Sequence, residues 1–159
     1  EKKGRLDGLR LAIIGDVAHS RVARSSIVGF NKMGANVVLA GPPTMMPMGI
    51  EMLGATVSYD IEEVIKDADV VMVLRIQKER LHAFAFPSER EYAQCYGLTE
   101  EKLAGAKKDV LIMHPGPINR GLEIAPEVAE GPYSVILEQV ANGVAVRMAL
   151  LYLLLGGPR

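Results

Sequence analysis

Leu9 to Ile14 is an almost unbroken apolar run closed by Gly15 and Asp16, the pattern of a strand covered on both faces, as parallel sheets require. From about Ser20 to Lys32 small and apolar residues recur at helical spacing, and Gly34 sits where a left-handed C-terminal cap belongs. Strand, helix and turn then repeat. Asn36 to Ala40 reads as a second strand ending at Gly41-Pro42-Pro43, Met45 to Leu53 as a short helix stopped by Gly54, and Thr56 to Tyr59 as a third strand. Asp60 is placed to cap a helix over Ile61 to Lys66, whose glutamates lie in the first turn, where the helix dipole favours them. Val70 to Leu74 and Val110 to Met113 complete the series as fourth and fifth strands.

This alternation predicts an α/β protein: one three-layer, Rossmann-like domain over residues 1–159, with a five-stranded parallel sheet in the order 3-2-1-4-5 and helices on both faces. Gln77 to Lys108, polar and poor in helix signals around Pro87-Ser88-Glu89-Arg90, is long for a crossover and reads as a functional or mobile loop. The Met45 to Met48 cluster is expected to pack the core. Val135 to Leu155 is the longest apolar stretch, but Glu138, Gln139, Asn142 and Arg147 interrupt it, so it reads as a buried helix and not as a membrane span. Leu150, Leu151, Leu153, Leu154 and Leu155 are nevertheless too many for one buried stripe, which predicts that part of this helix faces a partner.

Composition narrows the function classes. With 49% hydrophobic residues and 23% charged, the chain can bury a sizeable core and is not disordered. Eighteen Lys and Arg against nineteen Asp and Glu leave a net charge of -1, so no overall field draws nucleic acid or an anionic membrane, and charge recognition must be local. The single cysteine, Cys95, can form neither an internal disulfide nor a structural zinc site, and it reads as an inert loop or core thiol. A reducing, cytoplasmic location is expected. The N-terminal residues lack an apolar signal core.

Ligands of open α/β sheets bind beyond the carboxyl ends of the strands. After the first strand comes Gly15-Asp16-Val17-Ala18-His19-Ser20-Arg21, after the fourth Arg75-Ile76-Gln77-Lys78-Glu79-Arg80, and after the fifth His114-Pro115-Gly116-Pro117-Ile118-Asn119-Arg120. The first loop lacks the second and third glycines of a dinucleotide fingerprint. What the loops supply is guanidinium and amide. Arg21 and Arg24 open a helix, and Arg75, Gln77, Lys78 and Arg80 follow the fourth strand; arginine forks from different strands can hold both ends of a dicarboxylate. The alternative is that these arginines are solvated or paired with Asp16 and Glu79. His114 with Pro-Gly-Pro makes a rigid turn that presents backbone carbonyls to an amine or amide, or else simply ends a strand. His19 and His82 lack metal-ligand spacing, and no metal is assigned.

These three loops, with Val22-Ala23-Arg24-Ser25 and Gly121-Leu122-Glu123-Ile124 extending them, resemble the aspartate-binding half of the aspartate carbamoyltransferase family almost end to end. The resemblance implies that Arg21 and Arg75 bind the carboxylates of L-aspartate, that Gln77 assists, that Arg80 holds the closed arrangement of domains, and that Pro115, Gly116 and Pro117 meet the carbamoyl group and the amine through their carbonyls. It implies transfer of the carbamoyl group from carbamoyl phosphate to aspartate with no metal or organic cofactor, in a catalytic homotrimer to which dihydroorotase or regulatory chains can be added. The Ser-Thr-Arg-Thr loop that cradles carbamoyl phosphate is absent here, as is the N-terminal domain that carries it, so this chain alone is expected to be inactive. The ornithine enzymes of the same fold carry His-Cys-Leu-Pro where this chain has His114-Pro115-Gly116-Pro117, and an Asp-x-x-x-Ser-Met-Gly loop not found here. A binding module without catalysis is the alternative of another class.

Overall fold

A computed structural model describes residues 2–77 and 88–156. Among them a five-stranded parallel sheet has the order β3-β2-β1-β4-β5, as the alternation predicts, with β1 at Arg10–Ile14, β2 at Asn36–Ala40, β3 at Thr56–Ser58, β4 at Val70–Val73 and β5 at Leu111–Met113. In the central register Ile14 lies between Ala40 and Val73, and Met72 faces Met113.

Side chains of successive strand residues point to opposite faces. On one face Ala12, Ile14, Val38, Val71 and Ile112 pack under α2 (Ile61–Ile65), α4 (Glu100–Leu103) and α5 (Pro126–Ala129). On the other, Leu11, Ile13, Val37, Leu39 and Met72 meet α1 (Arg21–Lys32) through Ala23 and Ile27. Because both faces are covered, the central strands are apolar at nearly every position, and Leu11, Ile13 and Ile14 are wholly buried.

Side chains set several of the helix starts. Ser20 accepts a hydrogen bond from Ala23 N at the head of α1, and Asp60 accepts from Glu62 N and Glu63 N at the head of α2. Gly34 has the expected positive φ of 82° after α1.

Five expectations are corrected. The long segment after β4 is not loop throughout, since it contains α3 (Glu89–Tyr96) and α4. Ser88 and Glu91 carry the spacing of a capping box, Ser88 Oγ accepts from Glu91 N, and Lys102 of α4 closes the far end by donating to the Gln94, Cys95 and Gly97 carbonyls. Burial holds that ammonium below the ordinary lysine pKa. The first part of the segment, residues 78–87, lies outside the described residues. Met45 to Leu53 is not one helix: Pro47 and Gly49, at φ 75°, separate two 3-10 turns, Pro43–Met45 and Ile50–Leu53. Of the methionine cluster, Met45 alone is fully buried, Met46 packs partly, and Met48 is completely exposed. Cys95 is exposed on α3, neither in a loop nor in the core.

The fifth correction is the largest. The last helix, α6, spans Ile136–Leu154, but Ile136 is its one buried residue. It is long and apolar enough to cross a membrane by length and composition, and it is not the buried helix that its hydropathy suggests. Leu137, Met148, Leu153 and Leu154 are each at least 65% exposed, so the helix presents an uncovered apolar surface. Beside its base, Leu111 and Met113 are only partly covered and line a groove of about 400 Å³ with Leu6, Leu9 and Phe30.

Candidate functional site

β1, β4 and β5 are parallel neighbours, so the loops that follow them leave the same rim of the sheet. The rim is built on close backbone contacts. Gly15 has a φ of 124°, and a Cβ there would lie 3.2 Å from Leu74 Cβ and from the Tyr92 hydroxyl. Opposite it, a Cβ on Gly41 would strike the Gly15 carbonyl oxygen. Glycine at both positions lets the first loop pass between its neighbours.

In that first loop Asp16 is buried and turned inward, where it accepts from His19 N at 3.1 Å and faces His19 Nδ1 at 3.0 Å. Among the described residues Asp16 is therefore the partner of a histidine and not of an arginine. Arg24 folds back, its Nη2 donating to the Ala18 carbonyl at 3.1 Å, while Arg21, also exposed at the first turn of α1, makes no such bond among the described residues. Among the described residues Arg21 has no ion-pair partner.

After β4 the chain places Arg75 half-buried, Ile76 fully buried and Gln77 half-buried, one strand away from the first loop. Lys78, Glu79, Arg80 and His82 lie outside the described residues. After β5 Pro115 and Gly116 are half-buried and Pro117 is exposed, and the Gly116-Pro117 peptide is cis. Arg120 turns away from the rim to pair with Glu130.

Beneath the turn is a polar cluster of which sequence reasoning gave a role to His114 alone. His114 and Glu123 are both fully buried, and His114 Nε2 lies 3.2 Å from Glu123 Oε1. Gly116 N donates to His114 Nδ1 at 2.8 Å, so Nδ1 is the acceptor and Nε2 carries the proton toward the carboxylate. Glu123 also accepts from Asn119 N at 2.6 Å and Asn119 Nδ2 at 3.1 Å, and the same Nδ2 reaches the Ile76 carbonyl at 2.9 Å. From α6, Gln139 Oε1 accepts from His114 N at 3.2 Å. The signal in the sequence was Glu123 itself, a lone carboxylate between the apolar residues Leu122 and Ile124. Close by, Tyr92 is buried, and burial, with Glu123 and Asp16 nearby, pushes its phenol far above the ordinary range.

The rim thus carries an exposed Arg21, half-buried Arg75 and Gln77, and carboxylates of Asp16 and Glu123 bonded inward, an arrangement suited to an anionic ligand. Comparison with known proteins gives the same direction. Residues 7–154 match the family described as aspartate/ornithine carbamoyltransferase, Asp/Orn binding domain. The chain is 70% identical to the aspartate carbamoyltransferase catalytic subunit of Desulfosudis oleivorans over 159 residues, covering all of this chain and 51% of that protein. It is 63% identical over 155 residues to the corresponding subunit of Syntrophus aciditrophicus, covering 98% of this chain and 50% of that one. Among solved structures, the ornithine carbamoyltransferase of Pyrococcus furiosus superposes with a TM-score of 0.84 at 28% identity over 99% of this chain and 53% of its own. The chain spans about half the length of the curated relatives it matches.

Proposed function

The chain belongs to the aspartate/ornithine carbamoyltransferase family through its Asp/Orn-binding domain, and from that premise we propose that it supplies the aspartate side of a carbamoyl transfer. In that reaction the amine of L-aspartate attacks the carbonyl carbon of carbamoyl phosphate, the carbon–oxygen bond to phosphate breaks, and N-carbamoyl-L-aspartate and phosphate leave. The chemistry calls on no metal and no organic cofactor; positioning and charge stabilisation carry it.

In this reading Arg21 and Arg75 take the two carboxylates of aspartate, Gln77 adds an amide contact, and Arg80 helps hold the closed state. The carbonyls of Pro115, Gly116 and Pro117 receive the amine and the carbamoyl nitrogen. The observation that carries the reading is the direction of charge at the rim: the guanidinium of Arg21 is exposed, whereas Asp16 and Glu123 are buried and bonded inward. An ornithine site needs a carboxylate facing its cationic side chain, and neither of these two is free to do so. High identity to aspartate enzymes, against 28% to the ornithine enzyme of Pyrococcus furiosus, supports the same choice.

The carbamoyl phosphate cradle belongs in this reading to the half of the relatives that the chain does not span, and the exposed side of α6 is where that half packs. A cytoplasmic catalytic homotrimer is the assembly in which the two halves would work. The test is to mix the purified chain with the N-terminal half of a relative and assay carbamoyl aspartate. Turnover that needs both parts and disappears in Arg75→Ala is the expected result. Ornithine used in place of aspartate, or turnover unaffected by Arg75→Ala, would overturn the reading.

A further inference from the structure

Glu123 is the hub of the cluster under the rim, and its bonds run to two different loops. Toward the turn after β5 it holds His114 Nε2, and His114 Nδ1 in turn holds Gly116 N. Toward the loop after β4 it holds both nitrogens of Asn119, whose Nδ2 also donates to the Ile76 carbonyl. Each contact is within hydrogen-bond distance, and each donor faces an acceptor. Such a connected network in a buried setting is stiff, because breaking any one bond leaves a buried polar group without its partner.

The two loops so joined are those to which the aspartate reading assigns opposite ends of the reaction. Ile76 sits between Arg75 and Gln77, and its carbonyl shares a peptide plane with the Gln77 N–H. Gly116 is the middle of the carbonyl-bearing turn. β4 and β5 pair only as far as Met72 and Met113, so beyond that point the sheet no longer sets the spacing of the loops. The Asn119 bridge does so instead.

We infer that Glu123 and Asn119 are positioning residues that lock the Arg75–Gln77 loop to the His114–Pro117 turn and so pre-set the distance between the carboxylate-binding and carbonyl-presenting halves of the site. The inference rests on the aspartate reading for its substrate and on the hydrogen bonds alone for the lock. Asn119→Ala cuts the bridge to Ile76 while leaving the backbone bond from residue 119 to Glu123. Glu123→Gln keeps the shape but turns one acceptor into a donor that faces donors.

The experiment uses the 159-residue chain, with amide hydrogen exchange and L-aspartate titration followed by NMR. In Asn119→Ala the Gln77 amide exchanges at least about tenfold faster while the Ile13 and Val71 amides keep their rates, a local opening that general destabilisation would not produce. Aspartate binds about fivefold more weakly, since the arginine loop must be ordered on binding. Glu123→Gln reproduces both effects and moves the ring nitrogen resonances of His114. Unchanged exchange at Gln77 in Asn119→Ala overturns the inference. So does wild-type aspartate affinity in both variants when Arg75→Ala has lost binding. If the wild-type chain binds no aspartate, or Arg75→Ala binds it normally, the aspartate reading fails, and the exchange rates still decide whether the lock exists.

Discussion

β1 and α6 are both strongly apolar, and the structure treats them in opposite ways. Leu11, Ala12, Ile13 and Ile14 lie at 0% exposure, while the helix Ile136–Leu154 has one buried residue in nineteen. The strand is flanked by β2 and β4 and covered by helices on both faces, so each side chain meets protein in whichever direction it points. Among the described residues the bonds from the helix to the body lie near its start, where Ile136 enters the core, Glu138 pairs with Lys2 and Gln139 bonds to His114. Apolar sequence states a demand for burial. It does not say which surface meets that demand.

Mutations can break this comparison, and the largest effect is expected in the strand. Ile13→Ala should lower the unfolding free energy by about 3 kcal/mol, from lost burial and the cavity left behind, while Leu151→Ala on the exposed helix should change it by less than about 0.5 kcal/mol. Denaturant titration of both variants checks this, and equal losses would mean that α6 is already covered within the chain. Next in size is Gly41→Ala, where the new methyl meets the Gly15 carbonyl, a backbone atom that cannot swing aside. A loss of about 2 kcal/mol is expected, along with shifts in the rim amides around Gly15.

A smaller effect sharpens the comparison through pH. Asp69 accepts from Arg10 N at 2.9 Å and from Lys107 Nζ at 2.8 Å, tying the start of β1 to the segment before β5. Burial alone would raise its pKa, but these donors outweigh burial and hold the carboxyl below its ordinary value. A depressed folded pKa adds stability that is present above the unfolded value and is lost as pH falls through the folded one. The gap between wild type and Asp69→Asn, about 1 kcal/mol, should therefore be full near pH 7 and shrink below about pH 4 in thermal melts. The smallest effect on stability is expected for Leu150→Lys with Leu154→Lys, within about 0.5 kcal/mol of wild type. Sedimentation should show less self-association, because the two substitutions break up an exposed apolar patch.

Strand positions and their order were legible because a parallel sheet buried on both faces needs continuous apolar runs, and the right-handed crossover rule leaves few ways to order them. That the loops after β1, β4 and β5 leave one rim was legible for a related reason, since the strand order makes these three parallel strands neighbours. Helix α3 was announced by Ser88 and Glu91 but hidden by the polar residues and Pro87 that suggested loop. The grouping of His114, Asn119 and Glu123 left one local trace, the lone Glu123 between Leu122 and Ile124, but its tie to the Ile76 carbonyl in the loop after β4 had none. The exposure of α6 was likewise beyond local sequence. Composition and periodicity set which residues seek burial and where the backbone can turn, since both act over a few residues. Which loops are tied together and which apolar face stays uncovered depended on contacts between distant segments, and these exist only once the sheet has assembled.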